Sequence, residues 1–147
     1  MENFLFELYE RDLLKFKEEI SSFKNEDHIW EVKPGVTNSA GNLALHLLGN
    51  LNHFIGAQVA NTGYIRQRDL EFAPESRVSQ EMLIAEIEKA ITVVTLALKG
   101  LSQEELNKLY PLEMFGKHST QYYLIFFHSH LTYHLGQINY LRRILEG

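Results

Sequence analysis

Pro34, Pro74 and Pro111 are the only prolines among 147 residues, and each falls between stretches of helical periodicity. Proline breaks a helix interior, because it lacks the N–H and its ring clashes with the preceding turn. The three therefore divide the chain into four helical segments. The first runs from about Glu2 to Lys24, with Phe4, Leu8, Leu14, Phe16, Ile20 and Phe23 set among acids and lysines as on an amphipathic helix. A second starts at an Asn38 or Ser39 cap and reaches about Asn61. A third runs from a Ser79 cap to Lys99, with Gly100 as the C′ glycine. The fourth opens at Ser119 or Thr120 and continues to about Glu146. Ser102 to Glu105 has capping-box spacing and starts a short helix. Four long helices with two long crossover connections predict an all-α four-helix bundle, one domain over residues 1–147.

The second segment departs from the amphipathic pattern. Leu43, Leu47, Leu48, Leu51, Phe54, Ile55 and Val59 surround most of its circumference, and it carries almost no charge. A helix apolar all round is buried on more than one side. In a chain this short, that predicts a subunit interface and hence a homodimer. The loop from Thr62 to Val78 is long for a bundle connection, as functional loops are.

Composition narrows the function classes. Net charge is −5 and no Lys/Arg run occurs, which argues against a nucleic-acid partner. Cysteine is absent, leaving histidine and carboxylate as metal ligands and excluding disulfides and thiolate nucleophiles. No apolar stretch approaches the roughly 18 residues needed to span a bilayer, and no leader is evident, so a cytoplasmic location is expected.

His130 and His134 stand four apart in the last segment, about 40° from each other around the helix and one turn along it. Two imidazoles so placed can reach one divalent ion. Projection groups them with Tyr123, Phe126, Phe127, Tyr133, Gln137 and Leu141 on a buried face, and sends His128 to the solvent face roughly 160° away. Burying two unpaired imidazoles is costly, and either metal coordination or a buried polar network would satisfy them. In the second segment His46, Asn50 and His53 share a side. His46 and His53 are about 10.5 Å apart along the axis, so one of them joins the pair and the other is second shell or pocket lining. Spacing leaves that choice open. Gln137 can fix an imidazole tautomer, with Tyr133 beside it on the same wall. His28 and His118 fall in loops and read as surface residues.

Other chemistries lack their motifs. There is no Gly-rich phosphate loop and no Gly-x-Ser-x-Gly elbow. The Glu-x-x-His pattern of di-iron bundles is missing, since Leu43 and Leu131 stand three before His46 and His134.

The runs Asn42-Leu43-Ala44-Leu45-His46-Leu47-Leu48-Gly49-Asn50 and His130-x-x-x-His134-Leu135-Gly136-Gln137 resemble the two halves of the DinB-like superfamily. The resemblance spans essentially the whole chain. It implies an up-down-down-up four-helix bundle, often dimeric, in which His46, His130 and His134 bind a divalent metal, and so selects His46 over His53. Where relatives often have Arg before the Gly-Gln pair, Leu135 stands here. Characterised relatives include enzymes that use a low-molecular-weight thiol such as mycothiol or bacillithiol.

The leading functional expectation is a metal-dependent enzyme with Zn²⁺, or Ni²⁺, on three histidines and one open coordination position. It would act as a thiol-dependent S-transferase or a hydrolase on a small-molecule substrate, since zinc brings the pKa of bound water to about 7. Asn50, His53, Tyr133 and Gln137 are candidate supporting or pocket residues. The alternatives are a non-catalytic dimeric metal-binding sensor or scaffold, and a metal-free small-molecule binder.

Overall fold

The computed structural model describes residues 4–147, so the expected helix start at Glu2 lies outside the described residues. Helix α1 (Phe4–Ser21) buries Tyr9, Leu13, Phe16 and Ile20, one residue per turn, as a single core stripe. After the short α2 (Glu26–Ile29), α3 (Ala40–Leu51) starts where the Ser39 hydroxyl accepts the Asn42 N–H. A π-helical segment, Asn52–Ala57, prolongs α3, and Asn61 ends the run with a left-handed φ of 53°. Asn tolerates that conformation better than most residues, so the end falls where the sequence puts it. Helix α4 (Gln80–Lys99) is capped by Ser79, α5 (Gln103–Asn107) has its capping box between Ser102 and Glu105, and α6 (Thr120–Glu146) is capped by Ser119. Gly100 follows α4 at φ −83°, so the left-handed C′ role expected of it is not used.

Side-chain registers fix the helix directions. Along α1 and α6, Tyr9 donates to the Leu124 carbonyl, Asp12 meets His128, and Glu19 meets Asn139 and Arg142, so these helices run parallel. Against α4 the order reverses: Lys17 pairs with Glu88, while Gln80 donates to the Ile20 and Phe23 carbonyls. Helix α3 runs opposite to α6, with His46 beside His130 and Phe54 stacked on Phe127. The result is up-down-down-up. Helices α3 and α4 point the same way, so the connection 58–79 must return along the bundle. It does so over the outside of α3, through the short 3₁₀ turns Arg68–Glu71 and Pro74–Ser76.

That path changes the reading of α3. Leu43, Ala44, Leu47, Leu48 and Leu51 are all buried within the chain, against α6, α4 and the 68–71 turn. The chain's own loop supplies part of that cover, so the apolar circumference does not by itself require a dimer. Among the described residues, no helix is long and apolar enough to cross a membrane.

Candidate metal centre

The α3–α6 seam brings three imidazoles together. His46 Nε2 lies 3.1 Å from His130 Nε2, and His134 Nε2 lies 3.2 Å from the same atom. One nitrogen from each ring falls within 4.8 Å of the other two. His46 is buried, and His130 and His134 are half-buried. His53, one candidate for the third position, is absent from this group. It sits on the π segment with its ring against Phe54, and burial, with the Arg66 charge, lowers its pKa.

The outward-facing nitrogens decide which lone pairs point inward. His46 Nδ1 is 3.0 Å from Glu71 Oε1, and Glu71 is clamped by Arg66 through Nε at 2.8 Å and Nη2 at 2.9 Å. Burial would raise the Glu71 carboxyl, but hydrogen bonds from His46 and Arg66 and the Arg66 charge hold it below the usual carboxylate range. An ionised carboxylate only accepts, so His46 holds a proton on Nδ1, and in its neutral form the Nε2 lone pair is free. Arg66 Nη2 also approaches His46 Nδ1 at 3.3 Å, but with the proton there its productive bond is to Glu71. In the same way His134 Nδ1, 2.7 Å from Gln137 Oε1, donates to the amide oxygen and frees its Nε2. Two acceptor lone pairs therefore converge on His130 Nε2. A single proton there satisfies one of them; a cation at the common point satisfies all three nitrogens.

The spacing suits that. Two imidazole nitrogens bound to one ion at about 2.0–2.1 Å lie roughly 2.8–3.4 Å apart at coordination angles of about 90–110°. Burial and the neighbouring His134 and His46 charges push His130 down to about 4, and burial also lowers His134, so these two rings are neutral at pH 7, as ligands must be. His130 Nδ1 and the Asn50 Oδ1 are both buried without a protein partner.

Several placements correct the helix projection. The buried residues Tyr123, Leu124, Phe127, Leu131, Leu135, Ile138 and Leu141 centre the core face of α6 about 80° from His130, so the histidine pair marks one edge of that face. Tyr133 lies beyond the edge and is 66% exposed, not buried. Gln137 is exposed as well, though bonded to His134. His128 marks the opposite edge. Its Nε2 is 2.7 Å from the buried Asp12 carboxylate and its ring packs on Tyr9, so it seals the α1 seam and is not a solvent-face residue. His28 is likewise engaged, 3.0 Å from Glu146, and His118 stacks on Tyr122 at 3.8 Å.

Glu71 and Arg66 have no sequence signal; they come from the long loop. The nearest to one is Gly49, one turn from His46, where an added Cβ would stand 1.9 Å from Glu71 Oε2. Only glycine leaves room for the carboxylate against α3.

The fold is similar to the crystal structure of a DinB-like protein from Bacillus cereus ATCC 10987, with a TM-score of 0.68 over 91% of this chain and 85% of that one, at 16% identity. Residues 8–147 match the family described as protein of unknown function (DUF1572), and the chain belongs to that family. No curated protein matches it.

Proposed function

We propose that the protein is a divalent-metal-dependent enzyme whose ligands are His46, His130 and His134, acting on a small molecule as a hydrolase or a thiol S-transferase. The observation that carries this is the convergence of three imidazole nitrogens at 3.1 and 3.2 Å, two of them held as acceptors by Glu71 and Gln137. A buried polar core would pair donors with acceptors; this one aims acceptors at each other. Imidazole donors without thiolate suit Zn²⁺ or Ni²⁺. When bound, such an ion supplies a Lewis acid that lowers the pKa of a coordinated water or thiol toward neutrality.

The protein's own groups do the rest. Glu71, itself fixed by Arg66, orients His46, and Gln137 orients His134. For the third ring, a proton on Nδ1 would leave a buried donor, and the Asn50 Oδ1 is a buried acceptor without a protein partner; an ordered water bridging them would satisfy both. His134 and Gln137 also form one wall of a cleft of about 540 Å³, within the range of ligand pockets, and substrate reaches the trio from there.

The test is zinc or nickel titration of the metal-free protein by calorimetry. One ion per chain is expected, falling to none in His134→Ala and unchanged in His128→Ala. Stoichiometric uptake by His134→Ala would refute the ligand assignment.

A further inference from the structure

The cleft beside His134 has a chemical character of its own. Its walls are the 35–38 loop, Leu43 of α3 and the outer edge of α6. Val36, Leu43, Leu141 and Ile144 supply aliphatic surface, and Tyr133 and Tyr140 supply two largely exposed rings. The polar groups are few: Thr37, Asn38, His134, Gln137 and the hydroxyls of the two tyrosines. No Lys, Arg, Asp or Glu is among its lining residues. Arg143 stays outside the wall, its guanidinium over the Tyr140 ring at 5.4 Å. Arg66, the cation nearest the trio in the bonding network, is spent on Glu71.

Gln137 gives the cleft a direction. Its Oε1 is committed to His134 Nδ1, so its amide N–H groups are left to donate. They stand beside the imidazole cluster, whereas Tyr140 and Ile144 lie one and two turns further along α6. The polar end of the cleft is thus the end next to the histidines.

We propose that this cleft binds an uncharged, largely apolar small molecule with an acceptor oxygen, the oxygen held at the Gln137 amide and the apolar body along Leu43, Tyr140, Leu141 and Ile144. The inference rests on the metal-site reading for which end of the molecule reacts, though not for its binding. An anionic ligand would lose its hydration against these walls and gain no cation in return, a heavy penalty. A thiol co-substrate bearing several carboxylates is disfavoured here for the same reason.

Two probes with one carbon skeleton test it: N-phenyl-1-naphthylamine, which is neutral, and 1-anilinonaphthalene-8-sulfonate, which adds one sulfonate. Fluorescence titrations are run on metal-free and zinc-loaded protein. The neutral probe is expected to bind at one site per chain at least tenfold more tightly than the sulfonate. Ile144→Asp, at a position 63% exposed, should weaken it at least tenfold, and Ile125→Asp, 52% exposed on the same helix but outside the cleft, should leave it unchanged. Equal affinity for the two probes, or indifference to Ile144→Asp, would overturn the proposal. Neutral-probe binding by protein that takes up no zinc supports the cleft and overturns only the metal reading. Zinc uptake without probe binding overturns the cleft alone.

Discussion

Gly49→Ala offers a perturbation whose sign separates two accounts of the Glu71 clamp. On helix propensity alone, alanine in the interior of α3 should stabilise the protein by about 0.8–1 kcal/mol. The structure predicts the opposite. The new Cβ would meet Glu71 Oε2 at 1.9 Å and the carboxylate carbon at 2.6 Å, and since such contacts do not fall below 3.0 Å the carboxylate must retreat by more than an ångström. Bonds of 2.8, 2.9 and 3.0 Å to Arg66 and His46 do not survive such a displacement together. Each charge-assisted bond contributes about 1.5–3 kcal/mol, so losing one or two of them outweighs the propensity gain and leaves a net loss of roughly 0.5–5 kcal/mol. Freed from Glu71, His46 loses its fixed tautomer, and metal affinity should fall by roughly 10–100-fold. Urea denaturation of the metal-free protein reads the first number and zinc calorimetry the second. A variant that is more stable than wild type and binds zinc equally well would show that Glu71 neither holds His46 nor depends on the space at Gly49.

Other outcomes follow from the same geometry. Glu71→Gln keeps an acceptor for His46 but removes the charge facing Arg66, so zinc affinity should drop about tenfold or more in calorimetry while His46→Ala abolishes binding. Asn50→Leu, which removes the acceptor proposed for His130, should leave the fold intact by circular dichroism and weaken zinc several-fold; an unchanged affinity would detach Asn50 from the site. The metal-free protein should lose stability on mild acidification. His130 sits at about 4 when folded and near 6.5 when unfolded, so between those values the unfolded chain binds the proton first and stability falls as pH drops. Discounted for partial solvent access, the loss is on the order of 2 kcal/mol from pH 6.5 to 4, measured by denaturation in chelator, and His134 adds to it in the same direction. Zinc should steepen the effect.

The helical frame was legible because each of its determinants is local. Ser39, Ser79, Ser102 and Ser119 all cap the helices their positions announce, and the three prolines all fall outside the long helices. Tertiary coverage is not local. The run of leucines on α3 predicts burial on several sides, which is correct, but periodicity cannot say whether a neighbouring subunit or the chain's own 58–79 loop provides the cover. The face of α6 illustrates the same limit. Taking His130 as the centre of the buried stripe put Tyr133 inside and His128 outside, because a long helix packed between α1 and α3 is buried over a wide arc and its polar residues mark the two edges.

Those edges carry opposite polar chemistry, and this is why half of the site could be read and half could not. At the α1 edge each imidazole or amide meets an acid: His128 with Asp12, Asn139 with Glu19, His28 with Glu146. Donor and acceptor are matched, and the seam is structural. At the α3 edge, imidazole meets imidazole. Helical spacing reveals His130 and His134 because one element holds both, and the resemblance selects His46. What turns three rings into a ligand set is the protonation state of their far nitrogens, set from the 58–79 loop by Glu71 and from α6 by Gln137. The loop residue has no fixed spacing to any histidine, and only Gly49, left bare where the carboxylate lies, records its approach. The metal centre proposed here would therefore be written twice: as histidines in a helical register, and as a small residue on the helix where a distant acid must fit.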